Sequence, residues 1–217
     1  MGYSRAILRT TISKQVVREL RRMIITRELR EGEHLVEAKL ANRFECSNGP
    51  IREALRVLEQ EGLVQTSSGG KSVVVWFSLD DLFQLYAFRA ELDRITVDLI
   101  SKRELSPASY RQLEAIVTNM ANSESAIGSE WDMAFHKTLL KLGGNRYVEK
   151  VADAYYDLIF ELLTLANTYA DFEAVIKDHQ EILRLLQLKK WEDAVQALQN
   201  SSERGGKILA AKLWAKP

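Results

Sequence analysis

The stretch from Glu31 to Val64, EGEHLVEAKLANRFECSNGPIREALRVLEQEGLV, leaves the chain few ways to fold. It reads as two short helices around a tight turn. The first runs from about Glu37 to Phe44, with Leu40 and Ala41 turned inward. The turn is Glu45-Cys46-Ser47, where Ser47 suits an N-cap and Cys46 reads as core. Pro50 falls in the first turn of the second helix, where a missing N–H costs nothing. Ile51, Ala54, Leu55 and Leu58 recur there at helical spacing and form one buried stripe. Gly49, Arg52, Glu53 and Arg56 take the opposite side. This is a helix-turn-helix whose second helix offers two arginines, one turn apart, to a DNA groove.

VQTSSGGKSVVVW follows at once, two strand-like runs around a Gly-rich turn, and forms a wing whose Lys71 is placed to reach a phosphate or the minor groove. The wording LVEAKLANRF, SNGPIREAL and LEQEGLV, with the Gly-Gly turn, resembles the winged-helix domain of the gluconate-repressor (GntR) family of bacterial transcription regulators. The likeness covers residues of about 12 to 76. It implies a DNA-binding set of Ser47, Asn48, Gly49, Arg52, Arg56 and Lys71. Two of these depart from the family's usual Ser-Arg-Thr-Pro: Asn48 replaces an arginine and Gly49 a threonine, while Arg52 matches the second arginine. An asparagine can read adenine, so the operator is expected to differ from the family's usual one.

Net charge is zero, which taken alone argues against a nucleic-acid binder. The distribution reverses that. Residues 1–77 carry 13 Lys and Arg against 9 Asp and Glu, and the remainder is acidic by the same margin of four. A basic part joined to an acidic one suits a protein that meets phosphate with one domain only. The 46% apolar and 28% charged residues are those of an ordinary globular protein. No apolar run approaches a membrane span, no signal peptide is read, and the single cysteine fits a reducing compartment. The expected location is the cytoplasm.

Residues 1–11 read as an arm with two arginines. A helix follows from about Ile12 to Thr26, with Val16, Val17, Leu20 and Ile24 inward and Arg18, Arg21 and Arg22 outward. Phe77-Ser78 is the expected junction between a DNA-binding domain over 1–77 and a second domain over 78–217. Beyond it the pattern turns to six long helices, at about 79–103, 107–122, 129–142, 145–168, 171–188 and 191–213, the fourth capped by Asn145. The fold class is mostly α: a winged helix-turn-helix followed by an all-helical bundle.

Polar residues on the apolar faces of these helices are informative, because burying them is costly without a partner. Asp132 and His136 share a face with Phe135 and Leu139. His179 interrupts a stripe of Phe172, Val175, Ile182, Leu183 and Leu186. Ser201 is read as inward with Ala194, Ala197, Leu198, Ile208 and Leu209, and Arg89 as inward with Leu82, Leu85, Tyr86 and Ile100. One carboxylate and two imidazoles make a first-row transition-metal set. The alternative is two hydrogen-bonded core histidines, with Asp132 paired to His136. Arg89 needs a permanent partner, either Asp93 four residues on or a ligand carboxylate.

RAELD, WDMAFHKTLLKLGGNRYVEKV and DHQEILRLLQLKKWEDAVQAL resemble the FCD effector-binding domain of the FadR branch of the same family, over about 79–213. Six helices point to its VanR-like subgroup. The resemblance implies Asp132, His136 and His179 as ligands of a divalent metal, Zn or Ni, and an effector pocket with Arg89, Asn145 and Ser201. Where the family's last histidine should fall, this chain has Ser201, a poor ligand. The resulting reading is a homodimeric repressor that binds a double-stranded operator and is released by a small carboxylate effector. The competing readings are a two-His-one-carboxylate enzyme and a dimeric DNA-binding protein with no effector.

Overall fold

The computed structural model describes residues 12–103, 105–123, 128–166 and 172–214. The arm at 1–11 and the expected helix ends at 168 and 171 lie outside these residues. Backbone contacts divide the chain into two compact units, Met1–Phe77 and Ser78–Pro217.

In the first unit the order is α1 (Ile12–Ile25), β1 (His34–Leu35), α2 (Glu37–Arg43), α3 (Asn48–Gln60), β2 (Val64–Thr66) and β3 (Ser72–Val74). Helix α3 packs on both α1 and α2. Leu20, Met23 and Ile24 of α1 meet the α3 stripe of Ile51, Ala54, Leu55 and Leu58, all of them buried. The three strands form one antiparallel sheet in the order β1-β3-β2. Val64 pairs with Val74 and Thr66 with Ser72, and Leu35 pairs with Ser72 from the other side. The β2–β3 turn closes through Ser67 N–H to Lys71 O at 2.8 Å, with Gly70 at φ +72°. Strand β1 was not expected, since two residues are too few to carry an alternating pattern and only pairing with β3 makes them a strand.

Arg21 corrects the sequence reading. It does not point outward; it is buried, and its Nε donates to Glu61 Oε2 at 2.7 Å while Nη2 bonds Oε1. Glu61 is the C-cap of α3, so the cation also sits where the helix's terminal carbonyls carry partial negative charge. Helical spacing alone could not separate this arginine from Arg18, which is exposed, or from Arg22, which bonds Glu19 and Glu28.

The second unit holds α4 (Leu79–Ser101), α5 (Pro107–Ala121), α6 (Gly128–Gly143), α7 (Arg146–Leu165), α8 (Phe172–Gln187) and α9 (Trp191–Leu213). Ser78 opens α4 with a full capping box: its Oγ accepts from Asp81 N–H at 3.1 Å and its own N–H bonds Asp81 Oδ2 at 2.7 Å. Helix α4 lies along α9 and also touches α6 and α7, while α5 bridges α6 and α8. Their shared core includes Val97, Ile100, Leu113, Phe135, Leu139, Ile182, Leu186 and Leu198.

The inward face of α9 differs from the expected one. Ala194, Leu198, Ser202, Gly206 and Leu209 are buried, whereas Ala197, Ser201 and Ile208 are half-buried. The buried row runs through a serine and a glycine, neither of which registers as apolar, so periodicity set the phase one residue off.

Candidate functional site

The outer face of α3 carries Asn48, Gly49, Arg52 and Arg56, all exposed. Ser47 occupies the N-cap position with extended backbone, but its hydroxyl makes no capping bond, so it stands exposed at the helix N-terminus. Arg52 Nε bonds Glu37 Oε2 at 2.7 Å, across from the start of α2, in an exposed pair. In the wing Lys71 is exposed, its backbone N–H held by Ser67 Oγ at 3.3 Å. The face thus presents two guanidinium groups, an amide and free helix N-terminal N–H groups of the kind that meet phosphate and base edges.

In the helical bundle, Asp132 and His136 of α6 meet His179 of α8, all three buried, with one ligand atom from each within 4.8 Å of the others. The hydrogen bonds settle both histidine tautomers. His179 Nδ1 lies 2.8 Å from Val175 O, a group that only accepts, so Nδ1 carries the proton. His136 Nδ1 lies 3.2 Å from Asp93 Oδ1, a carboxylate, and donates likewise. In the neutral form each ring then turns its Nε2 lone pair away from that bond, and both Nε2 atoms are buried without a hydrogen-bond partner. They face Asp132 Oδ1, from 3.3 Å for His179 and 3.9 Å for His136. Lone pairs turned on a carboxylate oxygen in a dry interior repel one another unless a positive centre joins them.

A divalent metal ion would be such a centre. Ligands about 2.0–2.2 Å from a tetrahedral Zn lie roughly 3.3–3.5 Å from one another; His179 and Asp132 stand at that spacing, and the wider separations, up to 4.8 Å, would draw in around an ion. Protonation states suit it too. Burial pushes the Asp132 carboxyl up, but the charge of Arg89 and the imidazoles beside it hold it well below the usual carboxylate range. Burial, then Arg89, lowers His136 and keeps it neutral. The donor set is a carboxylate and two imidazoles. Asp93, fully buried, also accepts from the Tyr156 hydroxyl at 3.2 Å and thereby holds His136 from behind, the arrangement that orients metal-bound histidines.

Arg89 resolves its two alternatives in a third way. It pairs with Asp132, Nη2 to Oδ2 at 3.4 Å, and not with Asp93. Asn145 is employed as the N-cap of α7, its Oδ1 accepting from Tyr147 and Val148 N–H. Ser201 bonds Asp178, which also pairs with Arg204 at 3.0 Å. Sequence reasoning missed Asp93 as the partner of His136, and missed Tyr156 altogether. Its only signal was an acidic residue on the inward face of α4, which had been matched to the nearer arginine.

Residues 12–75 match the bacterial regulatory proteins of the gntR family, and residues 84–203 match the FCD domain. The chain belongs to the GntR family and carries its FCD domain. Among curated relatives of this GntR chain, the uncharacterized HTH-type transcriptional regulator YdhC of Bacillus subtilis is 27% identical, over 84% of each chain. The gluconate operon transcriptional repressor of Bacillus licheniformis is 26% identical over 95% of this chain and 88% of its own. Of solved structures, the Listeria monocytogenes protein Lar, which controls the agr system, superposes with a TM-score of 0.69 at 20% identity. That match covers 92% of this chain and 96% of Lar. Escherichia coli McbR/YncC gives 0.66 at 19%, over 92% and 97%. These two share the fold. A GntR chain with an FCD domain is a DNA-binding transcription regulator, and the enzyme reading falls with that assignment. No helix among the described residues is long and apolar enough to cross a membrane.

Proposed function

We propose that this regulator is a cytoplasmic repressor of the VanR-like subgroup. In this reading Ser47, Asn48, Gly49, Arg52 and Arg56 face the operator's major groove and Lys71 meets the backbone. The second unit dimerises and binds a small organic acid beside a Zn or Ni ion held by Asp132, His136 and His179. Six helices among the described residues of that unit support the subgroup. Curated relatives that repress the gluconate operon support repression and an acidic effector. Leu79 and Phe83 on α4, with Tyr147 and Val151 on α7, are exposed apolar side chains of a kind that a homodimer buries.

The observation that carries the reading is the pair of unpartnered imidazole Nε2 atoms turned on an ionised Asp132. A metal there keeps positions open to an effector oxygen, with Arg89 beside it. An effector that binds one arrangement of the dimer better than the other shifts operator affinity by a coupling of typically about 1–3 kcal/mol. The test is operator release followed by fluorescence anisotropy, with metal-loaded, metal-stripped and His179→Ala protein, across a panel of hydroxy and keto acids. Release by at least one acid from the loaded wild type alone is the expected result. Equal behaviour of all three proteins refutes the metal-linked reading.

A further inference from the structure

Besides Trp131 Nε1 and Asp93 Oδ2, which lies 3.2 Å from His136 Nδ1, the unpartnered buried atoms around the cluster fall into two kinds. His136 Nε2 and His179 Nε2 are acceptors without a donor, and a metal accounts for them. Arg89 Nε and the Tyr86 hydroxyl are donors without an acceptor, and a metal does not. Tyr86 is 3% exposed, and the Arg89 guanidinium stands 5.6 Å from its ring centroid. Arg89 and Asp132 both act on its hydroxyl, and Arg89 comes close enough to interact with it but not in good hydrogen-bond geometry. Burying such donors is costly unless an acceptor meets them.

The opposite helix is shaped around this tyrosine. Gly205 and Gly206 lie inside α9, where each costs about 1 kcal/mol relative to alanine. A Cβ at Gly205 would lie 3.0 Å from Tyr86 Cε1, and one at Gly206 3.3 Å from Cγ. Ser202, one turn earlier on α9, donates its hydroxyl to Tyr86 O at 3.3 Å. The same helix carries Ser201, spent on Asp178, where the family's last ligand is expected.

We propose that Tyr86 is a ligand-binding residue: its hydroxyl and Arg89 Nε form the donor side of the bundle site and grip an anionic oxygen, a carboxylate by chemistry, seated there by the Gly205-Gly206 gap. The proposal rests on the effector reading above and adds the residue that would bind the effector's oxygen. Tyr86 donates to the anion and is not a metal ligand. Tyr86→Phe keeps the ring in its seat and removes only the hydroxyl.

The experiment titrates acetate into Co(II)-loaded wild type and Tyr86→Phe, read by the visible Co(II) spectrum, after Co(II) affinity has been measured for each by chelator competition. Loss of a hydrogen bond to a charged group should weaken acetate roughly tenfold or more, with Co(II) affinity unchanged. Gly205→Ala, which crowds the ring without removing a polar group, should weaken acetate in the same direction. Equal acetate affinity in wild type and Tyr86→Phe overturns the proposal, as does wild type that binds no acetate. A fall in Co(II) affinity in Tyr86→Phe overturns it too, by making Tyr86 a ligand. If wild type binds no Co(II), the metal reading fails alone. Acetate is then titrated into the metal-free proteins by melting temperature, and the same comparison judges Tyr86.

Discussion

Asp93→Asn separates a functional role for the residue behind His136 from a merely structural one. The variant keeps the shape of a fully buried side chain and leaves an oxygen to accept from His136 Nδ1–H and the Tyr156 hydroxyl, now 3.2 Å away in each case. What it removes is the negative charge that would make His136 a stronger ligand in the proposed site and fix its tautomer. Partners of this kind are typically worth about 10–100-fold in metal affinity. With free metal at about 100 times the wild-type Kd, binding stabilises the wild type by about 2.7 kcal/mol, and a tenfold weaker site leaves about 1.4 kcal/mol. Chelator competition should therefore show the loss of affinity, and denaturation with and without Zn or Ni should show metal-dependent stabilisation cut to about half. Unchanged affinity refutes the argument. So does a variant equally destabilised with and without metal, since Asp93 would then be a packing residue only.

Four further outcomes are expected. Arg52→Ala should cost about 1–3 kcal/mol of operator affinity and relax specificity at one base position, and intact specific binding would misplace the recognition helix. Lys71→Ala should weaken all sequences alike and lower the slope of log K against log salt by about one. Arg21→Ala, which breaks the buried pair with Glu61, should destabilise the first unit by about 3–5 kcal/mol, and thermal unfolding as stable as wild type would refute this. In EDTA, stability should fall as pH drops below about 6.5: burial and Arg89 lower His136 in the folded state, so the unfolded chain takes up the proton more readily. His136→Asn should flatten that dependence, and a wild type already flat between pH 7.5 and 5.5 contradicts it.

The helix-turn-helix was legible because its signals are local: the α3 stripe, Pro50 and the Gly-rich turn each act within a few residues. The same holds for the start of α7, capped by Asn145. The cluster of Asp132, His136 and His179 was legible from polar residues interrupting apolar faces. Their partners were not. Asp93 and Tyr156 reach His136 across 43 and 20 residues of sequence, and Arg89 reaches Asp132 across 43, so only packing decides who meets whom. Sequence spacing offered Arg89 the nearer Asp93, and the fold gave it Asp132. The inward face of α9 was misphased for a related reason, since glycine fits against Tyr86 by having no side chain.

The pairing of Arg52 with Glu37 bears on how the protein searches for its operator. Held on a neighbouring carboxylate, the guanidinium is turned from stray phosphates when no target is present. Both groups are exposed, so the pair is weak, worth about 0–1 kcal/mol, and a well-placed guanine can take the arginine over. A random stretch of duplex offers Arg52 only charge, which Glu37 already supplies, whereas the operator offers charge and geometry together. If Arg52 reads the operator as proposed, Glu37 would be a built-in competitor for it, and Glu37→Gln should bind all DNA more tightly while telling sequences apart less well.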